Sequence, residues 1–120
     1  MVERVDIQTI ADQAVLAAGG NLFGRPLDML RKEGFASLHL KTSGAGIVRA
    51  RYRFSNDAKQ PAVNSKDWVY GDTDIVTSHA AGSSLYPMPD ESFFARYLQV
   101  ELIETTTTDA VTIDAWFATQ

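Results

Sequence analysis

Three arginines at alternate positions, Arg49, Arg51 and Arg53, together with two isolated histidines, His39 and His79, are the side chains whose type and spacing could do chemistry here. Alternate spacing places side chains on one face of a strand. The arginines therefore read as a cationic stripe fit to grip carboxylates through paired N–H donors. His39 and Lys41, also two residues apart, point outward from the strand before it. Neither histidine has a second ligand at the spacing of a metal site. Ser83 and Ser84 follow His79, but Ser–His–Asp chemistry needs three groups within hydrogen-bond reach, which nearness in sequence does not supply. Gly44-Ala45-Gly46 is no phosphate loop, because it lies between two strands, lacks a third glycine and precedes no helix. Asp72-Thr73-Asp74 could contribute to a calcium site, yet it falls short of an EF-hand loop and its closing Glu. The expectation is a non-enzymatic protein with no catalytic residue, no cofactor and no resident metal.

Aromatic residues offer a different chemistry. Trp68, Tyr70, Tyr97 and Trp116 could form a flat platform for sugar rings, as in carbohydrate-binding modules of sandwich fold. Trp116 falls on the opposite face from Val111, Ile113 and Phe117, so it is expected exposed, covered by a loop, or in an oligomer contact. Trp68, one step from Val69 in a short strand, is expected in the core.

The elements that must position these residues are strands. Residues 35–54 alternate strictly on either side of Ser43-Gly44-Ala45-Gly46, with Val48, Ala50, Tyr52 and Phe54 opposite the arginines, and read as a half-buried antiparallel hairpin. A second hairpin is expected around Glu104-Thr105-Thr106-Thr107-Thr108-Asp109: Leu98, Val100 and Leu102 alternate before it, and Val111, Ile113, Ala115 and Phe117 after it. Between them lie a turn at 55–61, short strands at 66–69 and 75–77, and a long loop at 80–90, whose glycine and two prolines exclude a central strand. The first third is ambiguous. Thr9, Asp12 and Gly19 suit the cap, first turn and end of a helix. Two confident strand pairs downstream instead ask for partner strands at 5–9, 14–18 and 26–30, and strands are preferred because tertiary context overrides local propensity. A turn at 31–34 leads into the first alternating pair.

Composition bounds what this architecture can be. At 120 residues, 45% apolar and 10% aromatic, the chain reads as one globular domain spanning 1–120 that buries a core without staples. It has no cysteine, which agrees with a reducing compartment. No apolar run is long enough to cross a bilayer, and charges in residues 1–6 occupy the place of a signal peptide's apolar stretch. The chain is thus expected to be made and kept in a cytoplasm until it assembles. A net charge of −4 and a pI near 5.0 exclude a general nucleic-acid binder.

The order of motifs resembles a known group. Ser37-Leu38-His39-Leu40 leading to Ser43-Gly44-Ala45-Gly46, an alternating strand into Ser55-Asn56-Asp57, then Asp67-Trp68, Ala95-Arg96-Tyr97 and a closing Ala115-Trp116-Phe117-Ala118 resemble small β-sandwich virion proteins of tailed bacteriophages and prophages. The likeness runs from residue 35 to the C-terminus; nothing aligns firmly in the first 30 residues. It implies an all-β, antiparallel two-sheet sandwich of jelly-roll-like form. It also implies a virion accessory (head decoration, neck or tail) that binds copies of itself, a trimer foremost, and other virion proteins. Arg49, Arg51, Arg53, His39, Lys41, Tyr97 and Trp116 are the candidate interaction surface. The other reading of the arginine stripe is a solvated face, and the other reading of the protein is a module binding cell-surface glycan.

Overall fold

The computed structural model describes residues 6–29, 36–56, 62, 67–88 and 95–119. The expected turn at 31–34 and residues 57–61 of the one expected at 55–61 lie outside these residues, and Ser55 is the last residue of the strand that precedes it. Among the described residues the chain is all strand, in two antiparallel sheets packed face to face. The smaller sheet has the order β1 (Asp6–Leu16), β10 (Val111–Thr119), β4 (Ala36–Ser43), β8 (Gly82–Pro87). The larger runs β2 (Asn21–Phe23), β9 (Tyr97–Glu104), β5 (Val48–Ser55), β6 (Val69–Tyr70). On it β3 (Leu27–Asp28) adds to β9, and β7 (Val76–His79) adds to β5.

Alternation is the reason these segments are strands, and it also sets the core. Val111, Ile113, Ala115 and Phe117 of β10, with Leu38 and Leu40 of β4, face Val48, Ala50 and Tyr52 of β5 and Leu98, Val100 and Leu102 of β9. Eleven of these twelve side chains are 0% exposed and Val111 is 2%, so water is excluded from the interface between the sheets.

The two expected hairpins are not hairpins. β4 pairs with β10 and β8, whereas β5 pairs with β9, β6 and β7, so residues 44–47 carry the chain across the core from one sheet to the other. Residues 105–110 do the same between β9 and β10. Alternation records which side of a strand is buried, and two strands facing each other across a core bury the same side as two strands adjacent in one sheet. The pattern fits both connections. Residues 17–20 and 80–81 also bridge the sheets, from β1 to β2 and from β7 to β8. The registers Leu16↔Val111, Thr112↔Ser43, Thr42↔Gly82 and Val48↔Glu104 put all four arches at one end of the sandwich. Each strand of the smaller sheet continues by an arch into the strand at the matching place in the larger one, which is a jelly-roll-like winding.

The first third is strand, as preferred. The helix-like run is the continuous, twice-irregular β1, with register shifts between Thr9 and Ala11 and between Ala11 and Ala14. Gln13 sits there at a φ of 51°, a position that keeps the edge strand bent. The expected loop at 80–90 contains β8. Its proline suits an edge strand, because Pro87 ends the ladder with β4 and, having no N–H, is confined to such positions.

Candidate functional site

The outer faces of the two sheets are built differently. On the larger sheet the arginines are paired and increasingly buried along the stripe, with the Arg49 side chain 40% exposed, that of Arg51 31%, and Arg53 covered. Arg49 grips Asp74 with two bonds of 2.7 and 3.0 Å. Arg51 pairs with Glu101, its cross-strand neighbour, and lies 4.0 Å above the Tyr70 ring. Arg53 donates to Gln99 at 2.7 Å and lies 4.2 Å from the Phe23 ring and 5.4 Å from that of Trp68. Gln99 in turn donates to the Gly24 carbonyl at 2.8 Å, and Asn21 donates to Glu101 at 2.9 Å. Arg53 is 7% exposed, Glu101 2% and Gln99 0%. Arg53 thus lies within a polar and aromatic layer, whereas Arg49 and Arg51 are paired but keep part of their side chains in solvent. Phe23 at the end of β2, Trp68 just before β6 and Tyr70 of β6 lie over Arg51 and Arg53. Burial pushes the Glu101 carboxyl up, but hydrogen bonds from Arg51, Asn21 and Tyr70 and the Arg51 charge outweigh it and hold the group below its ordinary value.

Two further expectations change for the same reason. Trp68 is buried, as expected, but over the outer face of the larger sheet and outside the core between the sheets, with its indole N–H donating to the Ala62 carbonyl at 2.8 Å. Tyr97, offered as a surface residue, is 6% exposed, with the Arg96 guanidinium 5.0 Å from its ring. Trp68, Tyr70 and Tyr97 thus sit on one side of the molecule and Trp116 on the other, so the four do not make one platform.

The outer face of the smaller sheet is more open, and the three remaining candidates, His39, Lys41 and Trp116, lie on its strands β4 and β10. Trp116, His39 and Leu85 stand opposite one another on β10, β4 and β8. The His39 and Trp116 rings are 5.0 Å apart at 52°, and His39 Nε2 lies 2.6 Å from the Ser83 hydroxyl. Ile7, Ser37 and Ala118 complete a shallow, mostly apolar trough with them. Ile7 is 66% and Leu85 67% exposed, high for large apolar side chains, and they stand on the two edge strands that flank His39 and Trp116. Toward the arches the face turns polar: Lys41 lies opposite Asp114, which accepts from the Gln13 N–H at 2.7 Å and from its side-chain amide at 3.2 Å. Sequence reasoning found His39, Lys41 and Trp116 but missed Ile7 and Leu85. The alternation of residues 83, 85 and 87 on β8 was hidden by its serines and proline.

A second constellation lies inside the arches. Glu104 is 1% exposed. Its carboxylate accepts from the Ile47 N–H at 2.8 Å, the Thr106 N–H at 3.0 Å and hydroxyl at 2.7 Å, the Thr107 N–H at 2.8 Å and the Gly19 N–H at 3.3 Å. It ties three of the four arches together. Burial alone would raise its pKa, but the Thr106 hydroxyl and the backbone donors hold it at about 2. His79 and Asp74 also have structural partners. Buried His79 lies 2.7 Å from the Tyr86 hydroxyl through Nδ1 and 3.1 Å from the Gly82 carbonyl through Nε2. Asp74 of the run considered for calcium is committed to Arg49.

The fold is similar to that of a chain in the structure of infectious bursal disease virus, Gx strain, with a TM-score of 0.52 at 14% identity. The likeness covers 97% of this chain and 32% of that one, so this chain spans about a third of the length of the protein it matches. Identity that low establishes the sandwich fold. That virus is a birnavirus and not a phage. No protein-family model and no curated protein matches the sequence.

Proposed function

We propose that this chain is a non-enzymatic structural protein of a virion, of a tailed phage or prophage, that acts by self-association and by docking to other virion proteins. The observation that carries this reading is the division of labour between the outer faces. One carries paired arginines and aromatic side chains, while the other presents a shallow apolar trough with exposed Ile7 and Leu85 and half-buried His39 and Trp116. Likeness of fold to a chain of a virus structure supports the virion part. The motif order from residue 37 to residue 118 supports the phage part. Among the described residues, no group of three metal-ligating side chains gathers, and the buried carboxylates and His79 are occupied by structural bonds.

Mass spectrometry of particles purified after prophage induction in the bacterium that carries the gene tests the reading. The chain is expected in the particle fraction at a fixed ratio to the major head or tail protein, and Trp116→Ala is expected to leave it soluble but reduce its incorporation. Absence from particles, with the protein abundant in the lysate, overturns the proposal. A glycan-binding module is the second reading, favoured by the Trp116 ring beside His39 with the Ser37 and Ser83 hydroxyls near it. Glycan-array binding lost in Trp116→Ala selects it.

A further inference from the structure

Sheet edges are sites where a second chain can add hydrogen bonds, and folded proteins usually disrupt them. Among the described residues, three of the four edges are disrupted. β1 carries two register shifts, and the Gln13 N–H at its bulge is capped by Asp114. The β2–β3 edge is broken by Gly24-Arg25-Pro26, and the β6–β7 edge by the excursion through Gly71-Asp72-Thr73-Asp74. β8 is different. It pairs with β4 without a register shift from Gly82 to Pro87, it carries no charged residue, and five of its six residues are exposed.

Its free groups can be identified. The Met88 N–H donates to the Ala36 carbonyl at 3.0 Å. In an antiparallel ladder bonded and non-bonded pairs alternate, so Ser84 and Tyr86 turn their backbone groups toward β4, whereas Ser83, Leu85 and Pro87 turn theirs outward. The outward set is Ser83 N–H and C=O, Leu85 N–H and C=O, and the Pro87 carbonyl. This set is self-complementary. When two β8 strands meet antiparallel with Leu85 opposite Leu85, the two leucines exchange both bonds, and each Ser83 N–H meets a Pro87 carbonyl. The N–H that Pro87 lacks is then missed only by the Ser83 carbonyl at the solvated end of the ladder.

We infer that β8 is the contact through which two copies of this chain pair about a twofold axis at Leu85, joining the smaller sheets into one sheet of eight strands. The contact is isologous, so it closes on itself, and it differs from the threefold association that the resemblance implies. In a chain of net charge −4, an uncharged edge is where like copies approach without repulsion. Because His39 and Leu85 are cross-strand neighbours and Trp116 lies opposite His39, the pairing also brings the two apolar troughs together into one band across both copies. The inference specifies the contact behind the self-association proposed above and rests on that part of it.

Amide exchange followed by NMR over a dilution series tests it. Ser83 and Leu85 amides are expected to slow by about tenfold or more as concentration rises, while Ser84 and Tyr86, bonded to β4, stay protected throughout. Leu85→Pro removes an N–H that faces the edge and leaves the β4 ladder intact. By sedimentation it is expected to weaken the dimer by at least about tenfold, from the loss of the two central bonds. Leu85→Lys, which keeps the N–H and adds a charge to the edge, guards against misfolding of the proline variant and is expected to weaken the dimer as well. An oligomer that persists in both variants with Ser83 exchanging freely overturns the edge contact and leaves self-association standing. A wild-type chain that is monomeric at every concentration, with Ser83 and Leu85 unprotected, overturns both.

Discussion

Glu104 shows how a single residue can hold a fold together without being visible as special in sequence. It reads as the last residue before a polar loop, yet its carboxylate collects donors from residues 19, 47, 106 and 107. Its folded pKa of about 2 lies below the ordinary 4.5. The bonds therefore stabilise the fold fully above about pH 4.5, and that contribution is lost as pH falls from there through about 2. Glu101, shifted in the same direction, adds to it. Thermal melts from pH 7 down to pH 2 are expected to show a steep fall in Tm below pH 4.5. Glu104→Gln should lower the neutral-pH Tm and flatten that fall, since an amide accepts fewer of these bonds and does not titrate over the range. A melting profile as steep as that of the wild type would show that other carboxyls govern acid unfolding. The arginine stripe teaches the converse lesson. Its alternation was legible, but its partners Asp74, Glu101 and Gln99 lie 25 to 50 residues away in sequence, so nothing local marked the arginines as paired.

At the scale of elements, the arches are what alternation leaves undecided. Both β4–β5 and β9–β10 alternate well enough to be hairpins, and both connections are of hairpin length. They are arches because adjacent places in each sheet are taken by strands from elsewhere, β10 beside β4 and β9 beside β5. Close stacking of the arches is written into Gly46, where a Cβ would come within 2.9 Å of the Asp109 carbonyl oxygen and of Val111. A second close approach lies at the broken edge of the larger sheet. The Gly71 N–H donates to the Tyr52 carbonyl at 3.1 Å, and a Cβ on Gly71 would stand 2.3 Å from the ring of Tyr52, a side chain that is 0% exposed. Gly71→Ala is expected to cost about 1 to 3 kcal/mol in urea unfolding, as overpacking of a filled core does. A change below about 0.5 kcal/mol would mean that the Tyr52 ring moves aside freely.

For the molecule as a whole, the adjacent aromatics of β10 give the cleanest test of which face is core and which is surface. Phe117 is 0% exposed between the sheets, whereas Trp116 lies on the trough. Phe117→Ala is expected to cost about 3 to 5 kcal/mol, and Trp116→Ala only about 1 kcal/mol, both read from urea midpoints at constant slope. Equal losses would show that the trough is closed in the folded protein. By itself the sequence determined that the chain is all-β, which residues of each long strand face inward, and that Trp116 stands apart from the core side of its strand, because period-2 burial is a local property written residue by residue. Only the tertiary structure decided that the hairpins are arches, that Arg53 and Tyr97 are covered, that β8 is an unprotected edge, and that Ile7 and Leu85 join His39 and Trp116. Those outcomes depend on which strands become neighbours, and neighbours in a sandwich are chosen by the global closure of the core and not by adjacency along the chain.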